Sequence, residues 1–318
     1  MFRFLRSLLL LFALTLLPSR AFPEPPGKLS LPPNLSTILD HIYSGRRDLA
    51  LPEIRLLQQQ NSGDPLGYLL EAEAEWWKMW CEAAEFKYGM TMARHREKVP
   101  ADQKYLELTA KSYSLAEASI RQQDTGEMHL YAGMADALAA RLYGLRGENR
   151  AAARAGVRAR GNFLAALALD PSLADADLGL GLYNYYVDTL STLARMLRFF
   201  MGIPGGNKEE GIRQLQRAIR EGQLSPAAAR FYLAIDLHNY DQRYEEALEV
   251  IGPLGDKYPE NPIFQLARGD LYAKLGRKKL AEACYRAAGE AASQVPEAEC
   301  REKIGQLVRQ SLGAIHAR

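Results

Sequence analysis

The sequence predicts an all-α fold, a solenoid of stacked helix pairs, on three observations. Ala247 and Ala281 are 34 residues apart, and so are Ile251 and Tyr285. A small residue followed four later by a large one, repeated at that period, marks a recurring helix–turn–helix unit. Val occurs only six times, while Ala, Leu, Glu, Arg and Gln abound, which favours helix over strand. No stretch alternates apolar and polar residues over a strand's length with β-branched side chains. A lone unit cannot bury its apolar face, so units stack, and the stack presents a long groove.

The elements follow in chain order. Arg3 and Arg6 precede a ten-residue apolar run, Leu8 to Leu17, and Ser19-Arg-Ala21 supplies a cleavage site. This reads as a signal peptide over 1–21, so the mature chain is expected in the periplasm or outside the cell. The alternative is an uncleaved membrane anchor, though the run is short for a span. No Cys follows it, which argues against a lipoprotein. Residues 22–33, rich in Pro and Gly, form an extended lead-in. Residues 34–225 read as a divergent repeat region. Helices are predicted over about 34–44, 52–60, 66–96, 102–122, 127–145, 149–169 and 173–201, each bounded by turn or capping residues. Pro52 is placed in a first turn, where its missing N–H costs nothing. Asn207 and Glu210 have the spacing of a capping box. Residues 226–295 hold two clear units. A last helix at 296–318 caps the stack with the polar face Arg301, Lys303, Gln306, Arg309 and Gln310.

The unit at 262–295 carries Gly269 and Tyr272 on its first helix and Ala281, Tyr285 and Ala288 on its second. The unit at 228–261 offers Phe231, Ala234, Ala247, Ile251 and Pro259, with His238 where Tyr is usual. These residues resemble the tetratricopeptide-repeat family. Phe163, Ala166, Pro171 and Gly147 fit a further unit, and 34–67 another. A second resemblance covers 175–220, where Gly179-Leu-Gly-Leu-Tyr-Asn-Tyr-Tyr precedes Gly202-Ile-Pro-Gly-Gly-Asn and Gly211-Ile-Arg-Gln-Leu. It is similar to the middle of the eukaryotic inclusion-body-clearance family of tetratricopeptide proteins and its bacterial relatives. The first resemblance implies a groove that holds another protein, and the second implies no catalytic residues.

Composition and motifs agree with a non-enzymatic reading that needs no cofactor. Removing residues 1–21 takes the formal charge from +2 to −1, which gives no case for nucleic acid. The sequence has no phosphate loop, H-E-x-x-H, C-x-x-C or G-x-S-x-G. Its five His, at 41, 95, 129, 238 and 316, lack metal-ligand spacing. Three cysteines leave two readings. Cys284 and Cys300, on consecutive predicted helices, form a bridge, or all three with Cys81 are buried thiols; the second is preferred because solenoids are held by packing.

Three surfaces are candidates for binding. In the family's geometry, first helices line the concave groove. That implies a partner site at Tyr185, Tyr186, Tyr232, Asp236, Asn239, Tyr240, Asp270 and Lys274, largely exposed without a partner. Tyr and Asn suit peptide binding because they give area and hydrogen bonds at low entropy cost. Some of these Tyr are alternatively inter-repeat packing. A row of Arg146, Arg150, Arg154 and Arg158 at spacing four reads as a solvated face, or as a dock for an acidic partner or anionic lipid. Trp76, Trp77 and Trp80 read as core, or, if Trp77 is exposed, as an anchor. The expected function is an exported scaffold binding a protein or peptide through its groove. The alternative is membrane-surface contact through residues 190–203, where Leu193, Met196, Leu197 and Phe200 form an apolar row beside Arg195, Arg198 and Phe199.

Overall fold

A computed structural model describes residues 29–190 and 203–317. The expected signal peptide at 1–21, lead-in residues 22–28 and the apolar row with Arg195, Arg198 and Phe199 lie outside the described residues.

Among the described residues the protein is an all-α helical-repeat stack. The helices are α1 (Leu35–Tyr43), α2 (Arg47–Gln60), α3 (Pro65–Glu82), α4 (Pro100–Ile120), α5 (Gly126–Arg146), α6 (Asn149–Leu169) and α7 (Ala176–Thr189). They continue as α8 (Lys208–Glu221), α9 (Pro226–Asp236), α10 (Tyr244–Lys257), α11 (Pro262–Lys274), α12 (Lys278–Ala292) and α13 (Ala298–His316). Each odd-numbered helix through α11 packs on the helix after it, giving antiparallel pairs, with α13 as the end. First helices α1, α3, α5, α7 and α9 also touch in succession, whereas no comparable contact joins consecutive second helices. First helices therefore form the inner wall.

Small-to-large packing sets the close approaches. Ala281, Tyr285 and Ala288 are buried in one stripe, and a Cβ at Gly269 would lie 2.5 Å from the Tyr285 ring. A Cβ at Gly179 would lie 1.9 Å from Phe163, which makes the same contact one region earlier. Caps terminate the helices as their residues dictate. Gly147 takes φ 75° between α5 and α6, and the Asn207 side chain accepts the Glu210 N–H.

Three elements differ from expectation. The helix predicted over 66–96 stops at Glu82, and a hairpin follows, β1 (Ala84–Lys87) pairing antiparallel with β2 (Met90–Ala93). Tyr88 and Gly89 both take positive φ, 55° and 74°, as a two-residue hairpin turn requires. Helix α2 begins at Arg47, so Pro52 lies inside it. Pro52 is exposed, so the carbonyl it leaves unpaired faces water. Helix α9 runs into a π-helical turn at Leu237–Asp241, ending at Gln242 with φ 55°.

The inner wall is not open along its length. Helix α3 is buried on nearly all sides and packs across the stack on distant first helices. Trp77 meets Phe231 and Phe264 edge-on at 5.0 and 5.6 Å, and Trp80 meets Phe231 at 5.5 Å. All three Trp are core, Trp77 included. Such rings bury large areas and supply much of a core's stabilisation. At the same junction Tyr258 donates to Asp40 at 2.8 Å and the Asn261 amide donates to the Tyr43 carbonyl at 2.6 Å. A disulfide joins Cys81 of α3 to Cys300 of α13, with Cα atoms 5.5 Å apart. Cys284 is free. The proposed Cys284–Cys300 bridge does not form, and neither does the set of three free thiols, because closure of the stack brings Cys81 rather than Cys284 to Cys300.

Candidate functional site

The expected groove residues divide into those the chain uses internally and those it leaves accessible. Tyr185, Tyr232, Asp236 and Asp270 are buried, which corrects the expectation that this surface is largely exposed. For Tyr232 and Asp270 the cause is the closure by α3 and the hairpin, while Tyr185 and Asp236 are covered where α7 meets α9 and the π turn. The Tyr232 hydroxyl accepts the Trp76 indole N–H at 2.7 Å. The Arg141 guanidinium sits 4.7 Å over the Tyr232 ring and is held by Glu73 at 2.9 Å. Asp270 accepts from the Thr91 backbone N–H and, at 2.9 Å, from the Tyr285 hydroxyl. Burial pushes the Asp270 carboxyl up to about 7, against the lowering effect of those donors. Lys274 donates to the Tyr88 carbonyl at 2.7 Å, so it tethers the hairpin tip. The chain's own α3 and hairpin thus occupy three of the expected partner positions.

A smaller inner surface remains. Tyr186 of α7 and Tyr240 of the π turn are 37% and 55% exposed, and Asn239 beside them is half-buried. The rings of Tyr185, Tyr186 and Tyr240 pack edge to face, with centroids 6.0 to 6.1 Å apart. Tyr185 is the anchor of the three. Its hydroxyl donates to the Asp236 carbonyl at 3.0 Å and to Asp241 at 2.9 Å. Asp241 is also paired with Lys208 at 2.7 Å.

Asp236 lies next to this cluster at the junction of α9 and the π turn. It is 0% exposed, and neither carboxylate oxygen has a partner in hydrogen-bonding geometry. Burial holds its carboxyl well above the usual range; hydrogen bonding by the neighbouring Tyr186 hydroxyl favours the charged form, and the Asp241 charge opposes it. Single π turns within α-helices frequently mark functional positions. The Asp236 residue type was legible in the sequence. Its burial beside a π turn was not, because such a turn leaves no periodic signal. His238, also in the π turn, is buried against Tyr244 with its Nε2 unpartnered, and burial, aided by Lys274, lowers it to about 4.

The arginine row does not form one surface. Arg146 ends α5 rather than belonging to α6, and it is buried in a two-pronged pair with Asp102 at 2.6 and 2.8 Å. Arg158 is exposed but pairs with the buried carboxylate of Asp136 at 2.5 Å. Arg150 and Arg154 alone remain simple exposed charges. Among the described residues no group of three or more His, Cys, Asp or Glu could hold a metal ion. No helix there is long and apolar enough to cross a membrane.

No family model matches the chain, and no curated protein does. A solved structure that is similar is the C-terminal part of a TPR repeat-containing protein from Cytophaga hutchinsonii. It is 14% identical, with a TM-score of 0.34, over 81% of this chain and 79% of that one. The fold therefore rests on the helices themselves.

Proposed function

We propose that the protein is an exported scaffold that binds a protein or peptide partner at the accessible tyrosines of its inner wall. The observation that carries this reading is the pair of accessible rings, Tyr186 and Tyr240, packed edge to face on the buried Tyr185. Accessible tyrosines on rigid helices provide contact area with little entropy to lose. Tyr232, Asp270 and Lys274 are taken by α3 and the hairpin, so Tyr186 and Tyr240 are the expected groove rings left accessible to a partner. Export is supported by the N-terminal pattern and by the Cys81–Cys300 disulfide, since such bonds persist in oxidising compartments. The division of the arginine row removes one of the two supports for a membrane-surface role.

The test is capture of partners from the native cell envelope by the parent and by a Tyr186→Ala, Tyr240→Ala double variant, with thermal melting as control. The double variant is expected to stay folded and to lose specific partners. Equal capture by a folded variant would place the binding surface elsewhere.

A further inference from the structure

Independently of the tyrosine surface, we propose that the Cys81–Cys300 bond is a site of thiol–disulfide exchange, a latch that a dithiol opens while the stack stays folded. The bond ties α13 to α3 across 219 residues of sequence. A cleft runs beside it, between the α1–α2 turn, the start of α11 and the turn from α12 into α13. Its walls include Gly45, Asn261, Val295 and both cysteines. A second cleft on the same seam is lined by Ser44, Glu260, Gln294 and Val295. The turn into α13 therefore has space beside it on the seam. Ala298 and Glu299, which follow it, are exposed. No side chain caps α13, because Glu297 is turned to Arg47 at 3.5 Å. An exposed, uncapped first turn beside a cleft is a place for local opening. The cysteines themselves are covered, Cys81 at 1% and Cys300 at 5% exposure, so a reagent reaches them when this turn opens.

The helix terminus also decides which sulfur leaves. Cys300 lies in the first turn of α13, where uncapped N–H groups favour a thiolate. The other charges at the cleft cancel in groups, Lys78 with Glu82, and Arg47 with Glu75 and Glu297. Glu299 opposes a thiolate but is exposed and screened. A thiolate of the dithiol attacks the Cys81 Sγ, the S–S bond breaks, and its electron pair leaves on the Cys300 Sγ. The second thiol then attacks the reagent's sulfur in the mixed disulfide, and Cys81 leaves. The protein gains two electrons and two protons, and the dithiol is oxidised to a disulfide. Opening frees α13 from α3 and β1, while Trp77 and Trp80 still hold α3 against Phe231 and Phe264.

The experiment is reduction of the purified protein by dithiothreitol in native buffer, with rapid alkylation in denaturant and a mass measurement to count thiols. Reduction is expected at least tenfold faster than global unfolding, followed by helical circular dichroism. Its rate should stay flat at low urea, where unfolding accelerates. Reduced protein held in dithiothreitol is expected to keep its helical signal. Its amide hydrogens should exchange faster over 81–87 and 295–304 but not over 229–236. With the monothiol glutathione, trapping is expected to find glutathione on Cys81 and the alkyl group on Cys300. Reduction that keeps pace with unfolding at every urea concentration would make the bond a structural staple and overturn the proposal. Loss of the helical signal on reduction, or unchanged exchange at the seam, would overturn it equally. Glutathione on Cys300 would overturn the assigned order.

Discussion

The Trp76 indole donates to the Tyr232 hydroxyl across 2.7 Å, joining helices α3 and α9 over 156 residues of sequence. Both side chains are buried, so the bond is shielded from water and closes the inner wall at its middle. Tyr232→Phe removes the acceptor and leaves the indole N–H unpaired. The expected loss is about 1–3 kcal/mol. Denaturant unfolding of parent and variant measures it, and an unchanged midpoint would mean the two helices are not locked this way.

The disulfide makes a second prediction about the same closure. It spans 219 residues of sequence, and a loop of that size corresponds to about 5 kcal/mol in the chain-entropy description. Reduction, or a Cys81→Ser, Cys300→Ser double variant, is expected to lower the melting temperature clearly. Thiol titration in denaturant should count one reactive group, Cys284, before reduction and three after it.

The repeat contacts were the most legible part of the fold. The stripe of Ala281, Tyr285 and Ala288 and the small residue at Gly269 carried their own spacing; the stripe is buried and Gly269 lies against the Tyr285 ring. Closure was not legible, because contacts such as Trp76–Tyr232 lie between units far apart in sequence and have no period. The hairpin hid inside a helix-like pattern, betrayed only by the two-residue turn Tyr88-Gly89. The groove residues have recognition chemistry, and three of them, Tyr232, Asp270 and Lys274, do recognise something, but it is α3 and the hairpin of their own chain. Tyr186, Asn239 and Tyr240 are the accessible remainder.

The register makes its own test. Gly269→Ala would press a methyl group to within 2.5 Å of the Tyr285 ring, and Ala281→Trp would force an indole into a site with no exposure. Overpacking of this kind costs about 1–3 kcal/mol, and the Trp change more. Thermal melting of the two variants checks it; parent-like melting of Ala281→Trp would mean α11 and α12 do not pack in this register.

Asp270 gives a pH dependence. Burial raises its carboxyl from 3.8 to about 7. Between those values the folded state holds a proton that the unfolded state has released. Stability from this group is therefore fully present below about pH 4 and falls as pH rises towards 7, by as much as about 1.4 kcal/mol per pH unit. Asp236, also raised, acts in the same direction, and His238, lowered to about 4, acts in the opposite one as pH falls. The readout is the difference between parent and Asp270→Asn across that window. The variant should lose the Asp270 part of the slope whatever its absolute stability, and identical slopes would contradict the assignment.

The central claim is that a partner is met at Tyr186 and Tyr240 and not on the outer helices. A photo-crosslinking residue placed at Tyr240, 55% exposed on the inner side, tests it against one at Leu280, 49% exposed on second helix α12. Both sites are open to reagent, so exposure alone does not separate them. Irradiation in the native cell is expected to give discrete crosslinked species from position 240, reduced by Tyr186→Ala, and none from position 280. Discrete species from position 280 with none from position 240 would contradict the account.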